Sequence, residues 1–405
     1  MKILQLCNKP PYPPIDGGTI AMNSITQGLM AEKCSVKVLS VCSDKHPVKK
    51  ELLTEDYLEK TQFESVYVNL NVKVLDASVA LLTGESYNVK RYESQEFAKK
   101  LASILKSETF DIVHVESIFL TPYLPLIRKY SKAKVVLRSH NVEHLIWQRI
   151  ARCTKNIFKK WYFKRLSLAL RVYELENIGK YDGVACITQK DADYFIANGC
   201  RKPVVSIPFG IISPDTMDNV DEEPYSLFHI GSMDWMPNLE AINWFLNDVW
   251  PKIHAEIPKA RLYLAGRKMP EVLLNASYPN VSIVGEVPDA MYFIESKKIN
   301  IVPLLSGSGI RVKIIEAMSV GKTVISTSVG AEGIDYTNDK NILIADTPSE
   351  FVKQIKRCLD DDDFCTKVGK NAYDLVATHY NNDLLTKKLL AFYTKLLEKD
   401  KEYSD

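Results

Sequence analysis

The most chemically loaded stretch of the chain is GSGIRVKIIEAM, residues 307–318. Here two glycines, two cations and one carboxylate come just ahead of and within an apolar run. Gly307, Ser308 and Gly309 leave a loop almost bare of side chains before a helix start, where backbone N–H groups favour an anion. Arg311 and Lys313 fall in the first turn, where the helix macrodipole disfavours cations. A bound diphosphate would supply the missing anion. Glu316, one turn beyond Val312, would have its carboxylate free for sugar hydroxyls. The competing reading is a solvated first turn with chance charges.

Four further stretches carry chemistry. In PPYPPIDGGT (10–19), Gly17 and Gly18 form a loop that lets backbone approach a ligand, although a plain turn fits equally. In DIVHVES (111–117), alternation along a strand puts His114 and Glu116 on one face, suited to acid–base or electrostatic work. The bland version is a satisfied buried His beside an exposed Glu. HNVEH (140–144) matches a zinc-peptidase spelling, but His140 ends a strand run, so His140 and His144 do not share a helical face. His140 then reads as a cleft residue and His144 as incidental, and no metal is expected. Finally, residues 147–171 hold eight basic residues and no acidic one. Trp147, Phe158, Trp161, Tyr162 and Phe163 interleave with them, a pattern suited to an anionic membrane surface or to a core helix with a basic outer face.

The elements that must position these residues alternate short β-branched runs with helical periods, the mark of an α/β protein with mostly parallel sheets. Strands are expected at 2–7, 36–42, 66–75, 111–117, 134–140 and 183–188. After an acidic, proline-containing linker at 213–226 the rhythm restarts, with strands at 226–232, 261–266, 281–285, 300–305, 322–327 and 341–346. A helix is expected over 237–253, and leucine-rich helix closes the chain at 382–399. Two doubly wound domains follow, at 1–212 and 213–380. Ligands are expected where strand C-termini face a central cleft.

A chain of 405 residues is long enough for two cores. Lys and Arg number 52 against 50 acidic residues, which removes any whole-chain case for nucleic acid. The eight cysteines show no CxxC pairing and no apolar run approaches membrane-spanning length, so a cytoplasmic protein is expected, peripheral on the inner face of the membrane.

The loop after the first strand resembles retaining GT-B glycosyltransferases of family 4, as do DGVACIT, FHIGSMDWMPNLEAINWF, GEVPD and GSGIRVKIIEAMSVGKTVISTSVGAEGI. The resemblance spans nearly the whole chain and is most specific in the last run. It implies two Rossmann-like domains facing a central cleft, an acceptor-binding one at 1–212 and a nucleotide-sugar-binding one at 213–380, with residues 381–405 returning to the first. It also implies a nucleoside-diphosphate sugar as donor, a glycan or lipid-linked acceptor, and no cofactor or metal. It implies that Glu316 binds the donor ribose, that Gly17 and Gly18 lie against the diphosphate, and that Gly266, Glu286 and Val287 surround the nucleobase. It implies catalytic-site positions for Glu116 and His140. Two departures stand out: Ser308 replaces a glutamate that holds the transferred sugar, and Ser232 and Asn238 replace an Arg and Lys. Arg311 and Lys313 are expected to take over the phosphate. The rivals are a nucleotide-sugar epimerase on the same fold and a non-catalytic nucleotide-sugar-binding protein.

Overall fold

The apolar runs pair into two wholly parallel sheets, each belonging to its own compact unit. A computed structural model describes residues 1–398 apart from 74–78, 81–82, 212–219 and 308. Unit 1 comprises residues 1–210 with 382–405, and unit 2 residues 211–381.

Unit 1 contains β1 (Lys2–Cys7), β2 (Ser35–Cys42), β3 (Glu64–Tyr67), β4 (Ile112–Glu116), β5 (Lys134–Ser139), β6 (Gly183–Cys186) and β7 (Val204–Ser206). Their order is β3-β2-β1-β4-β5-β6-β7. The near-continuous apolar runs follow from burial on both sheet faces. On one face Leu4, Leu6, Val113, Val135 and Val184 pack with Phe97, Leu101 and Phe195. On the other, Ile3, Val38 and Val136 meet helix Gly17–Ala31 and the closing helix Asn382–Glu398, whose Leu385, Leu389, Phe392, Tyr393 and Leu396 are buried. The two helices approach closely at Gly28, where a Cβ would lie 2.0 Å from Thr386 Oγ1.

Unit 2 contains β8 (Glu223–Ile230), β9 (Arg261–Ala265), β10 (Val281–Gly285), β11 (Lys297–Val302), β12 (Thr323–Ser326) and β13 (Leu343–Ile344). Their order is β10-β9-β8-β11-β12-β13. In both units the strand order reverses beside the first strand, between β1 and β4 and between β8 and β11. Doubly wound sheets open a crevice at that point.

Three expectations change. The strand expected over 66–75 ends at Tyr67; residues 68–73 are not in strand, and residues 74–75 lie outside the described residues. The linker gives way to β8 already at Glu223, whose carboxylate accepts from Lys297, Arg261 and Tyr263, while residues 213–219 of the linker lie outside the described residues. The single helix over 237–253 is three pieces, Met236–Trp244, a π turn Phe245–Val249, and Trp250–Glu256. Pro251 accounts for the break, because it has no N–H to donate and its ring crowds the preceding turn.

Candidate active site

In unit 2 the crevice outside β8 and β11 gathers groups from three loops. Helix Val312–Ser319 starts one residue after Arg311, which is therefore the cap residue, with Lys313 in the first turn. Lys313 Nζ donates to Asn238 Oδ1 at 2.7 Å and lies 3.2 Å from His229 Nε2. His229 is buried near the end of β8, with Nδ1 2.8 Å from the Ile301 carbonyl. A carbonyl only accepts, so Nδ1 carries the proton and Nε2 is the acceptor turned to Lys313. Burial and the Lys313 charge push the His229 pKa well below its usual value, so it stays neutral. Burial and then the nearby Arg311 lower Lys313 to about 7, with Glu316 opposing the shift. Burial raises Glu316 to about 6, opposed by Lys313. Arg311, Lys313 and Glu316 thus crowd one helix start, where burial pushes both Lys313 and Glu316 towards their neutral forms.

The backbone around these groups is built for close approach. Gly307 and Gly309 adopt φ of 118° and 81°, conformations that favour glycine. Arg311 Nη1 donates to the Gly309 carbonyl at 2.6 Å, and its guanidinium lies over Trp235, 5.3 Å from the ring centroid. A Cβ on Gly231 would lie 3.1 Å from Lys313 Nζ, and one on Gly266 would lie 1.7 Å from the Gly231 carbonyl oxygen. Gly266 N–H in turn donates to the Gly285 carbonyl at 2.7 Å. Gly231, Gly266 and the turn carrying exposed Glu286 and half-buried Val287 are thereby drawn together at the strand ends. Ser308 lies outside the described residues.

In unit 1, Glu116 ends β4 and is fully buried, which removes the alternative of an exposed Glu beside His114. Its Oε1 accepts from Gln5 Nε2 at 2.9 Å and lies 3.1 Å from His114 Nε2, while Oε2 lies 2.7 Å from His140 Nε2. Thr26 donates to Gln5 Oε1 at 2.6 Å, and Tyr393 OH lies 2.5 Å from His114 Nδ1. Burial alone would raise the Glu116 pKa, but His114 and His140 outweigh it and hold the carboxyl well below the usual carboxylate range. Arg138, in register with Glu116 on β5, is buried as well and donates to the Pro208 carbonyl. An ionised Glu116 accepts from His140 Nε2–H, leaving His140 Nδ1 as an acceptor. His140 is the exposed member of the pair, with 15% of its side chain accessible against none for Glu116. Glu116 therefore orients the His140 ring, and of the two only His140 is accessible. Just beyond Glu116, Ser117 holds φ at 98°, a strained value of the kind that gathers at functional sites.

Gly17 and Gly18 do not form a loop: they open helix Gly17–Ala31, capped by Asp16, whose Oδ1 accepts from Thr19 N–H at 2.9 Å. Lys9 pairs with the same carboxylate at 2.6 Å, and a Cβ on Gly18 would lie 2.9 Å from Lys9 Nζ. His144 is not incidental either. It is buried, with Nδ1 2.6 Å from Glu174 and Nε2 2.8 Å from Tyr194 OH, so both nitrogens are engaged. Among the described residues no group of three or more His, Cys, Asp or Glu side chains is placed to hold a metal ion.

The comparisons with known proteins bear on both units. Residues 15–212 match the model of Glycosyltransferase Family 4, and residues 224–361 match that of Glycosyl transferases group 1. The chain is a GT-B glycosyltransferase. The transferase is 24% identical over 292 residues to an uncharacterized 44.6 kDa protein in the cps region of Klebsiella pneumoniae, covering 70% of this chain and 74% of that one. In fold it is similar to the sucrose-phosphate synthase of Thermosynechococcus elongatus, with TM-score 0.70 and 14% identity over 98% of this chain and 100% of the other. It is also similar to Anabaena HepE in complex with UDP, with TM-score 0.65 and 14% identity over 98% and 100% of the two chains. No helix among the described residues of the transferase is long and apolar enough to cross a membrane.

His229, Arg138, Gln5 and Tyr393 escaped the reading of the sequence. The first three were visible only as polar letters inside otherwise apolar strand runs, SLFHIGS, KVVLRSH and KILQLC.

Proposed function

We propose that the protein is a retaining glycosyltransferase that moves a sugar from a nucleoside-diphosphate sugar, with UDP as the nucleotide, to a hydroxyl of a glycan or lipid-linked acceptor in surface polysaccharide assembly. The observation that carries this reading is the helix start at 311–316. There, two cations lie beside glycines whose φ values favour glycine, and burial together with the neighbouring Arg311 charge holds Lys313 below its normal pKa. A diphosphate would pair with these cations, and the negative charge that develops on it as the leaving group is what preorganised cations stabilise. Glu316 is the proposed ribose acceptor, and the 266 and 285–287 turns are proposed to surround the base. His140, oriented by Glu116, is proposed to bond a hydroxyl of the sugar or acceptor through Nδ1. Neither residue needs to be a nucleophile. The similarity to a protein crystallised with UDP supports the nucleotide.

A thermal-shift screen across nucleotide sugars tests the reading, because a ligand that binds only the folded state raises the midpoint. UDP-sugars are expected to shift it, and Arg311→Ala and Lys313→Ala each to abolish the shift. NMR of the product's anomeric centre then reads the stereochemistry. Near-normal donor affinity in both variants would refute the phosphate site, and an inverted product would refute retention.

A further inference from the structure

The basic, aromatic segment of unit 1 folds as two packed helices, Glu143–Cys153 and Ile157–Ile178. Packing sorts its aromatic residues into two sets. Trp147 and Tyr162 turn inward and pack with Ala80, Tyr87 and Leu166, and Phe163 lies 5.8 Å from Trp147, ring centroid to ring centroid. Phe158 and Trp161 turn outward, 78% and 58% exposed. Ile157, Leu168 and Val172 are exposed beside them. Residues 157, 161, 168 and 172 fall at i, i+4, i+11 and i+15, one stripe along the second helix, with Phe158 at its leading end.

Charge brackets this stripe. At 100° per residue Lys164 and Arg171 flank one edge and Arg165 the other, all exposed. Lys155, Lys159 and Lys160 surround the leading end, and none of these six cations forms an ion pair among the described residues. On the Lys164 edge a cavity of about 520 Å³ is lined by His144, Gln148, Arg152, Lys164, Arg171 and Tyr194 among others. A helix pair that partly buries three aromatics yet leaves two others in water, ringed by cations without ion pairs among the described residues, has a face made for a surface that is apolar beneath and anionic above.

We propose that this face docks on an anionic lipid bilayer. The Ile157, Phe158, Trp161, Leu168 and Val172 side chains enter the headgroup–acyl boundary. The flanking cations meet lipid phosphates, with Arg152, Lys164 and Arg171 receiving one in the cavity. The inference stands apart from the donor site, which lies in the other unit. It commits to a bilayer rather than a protein because the charges flanking the stripe over 155–171 are all positive, which complements a continuous anionic surface.

The test is co-sedimentation of the full-length protein with vesicles of phosphatidylcholine alone and of phosphatidylcholine mixed with phosphatidylglycerol. Binding is expected to the mixed vesicles, to weaken with salt, and to be absent on the neutral ones. Phe158→Ala combined with Trp161→Ala should lower partitioning at least about tenfold, from the apolar area withdrawn. Replacing Lys159 and Lys164 by Gln should cost roughly fivefold per charge. Brominated lipid should quench the fluorescence of the unchanged protein more than that of Trp161→Phe. Unchanged melting and UDP-induced shifts in all variants separate a lost membrane face from a damaged fold or a failed donor site. Equal binding to neutral vesicles, binding indifferent to Phe158 and Trp161, or no vesicle binding would overturn the proposal. So would a change from dimer to monomer in the double variant, which would assign the stripe to a second copy.

Discussion

Nucleotide binding should draw a proton onto Lys313, and the size of that uptake follows from the site. In the free protein burial and Arg311 hold Lys313 at about 7. A diphosphate against Nζ returns it towards the ordinary lysine value of about 10.4. At pH 8 the free site is then only about one-tenth protonated and the occupied site fully so, which predicts an uptake of about 0.9 proton per UDP bound. UDP itself contributes little there, because a terminal phosphate with a second pKa of about 6 has already ionised. Glu316, raised to about 6, is also already ionised. Titration calorimetry at pH 8 in buffers of differing ionisation enthalpy reads the uptake as a slope. By linkage, UDP affinity should fall nearly tenfold from pH 8 to pH 9. Lys313→Ala should weaken binding and bring the uptake close to zero. The same group has a stability signature of fixed sign. Its folded pKa lies below its unfolded one, so between pH 7 and about 10.4 the unfolded chain holds the extra proton and stability rises with pH. Lys313→Met should remove that rise and stabilise the free protein most below pH 7. An uptake near zero in the unchanged protein, or one that persists in Lys313→Ala, would refute the assignment of Lys313 to the diphosphate.

Other outcomes follow from the same geometry. Gly266→Ala puts a Cβ 1.7 Å from the Gly231 oxygen at φ 149°, so it should lower the melting temperature and abolish the UDP-induced shift. Glu116→Ala removes the acceptor shared by Gln5, His114 and His140 and should cost about 3–5 kcal/mol in denaturant unfolding. Because the Glu116 carboxyl is held low in the folded state, its contribution is present above the unfolded value of about 4.3 and is lost as pH falls below it; acid titration of the Glu116→Gln variant should lack that loss. His140→Ala, at a partly exposed position, should leave stability within about 1 kcal/mol while cutting turnover, which separates it from Glu116. Gly28→Val drives a side chain into Thr386 and should loosen the closing helix, seen as faster amide exchange over 382–398.

The fold was legible because both sheets are parallel and buried on two faces. Each strand then reads as an apolar run and each crossover as a helical period, as in KILQLC and RLYLAG. The runs failed where a local effect competed, as at Pro251 and in the 66–75 run, which Asn69, Asn71 and Lys73 interrupt. The cluster Arg311, Lys313 and Glu316, proposed here to bind the donor, was legible as a cluster because it crowds a single helix start, and local spacing is what a sequence displays. Their partners were not, since His229 and Asn238 reach Lys313 from 84 and 75 residues away. The division of labour between Glu116 and His140 was hidden for the same reason. Periodicity put Glu116 on a face, but burial by Gln5, His114 and the closing helix decided that only His140 can be touched. Composition likewise showed one basic, aromatic segment at 147–171, and packing of the two helices decided which aromatics lie inside and which face outward. What the sequence determined alone was the order of elements and the short-range clusters at their ends. Exposure, protonation and partnership belong to the tertiary structure, because they depend on atoms that only the folded sheet brings within a few ångströms.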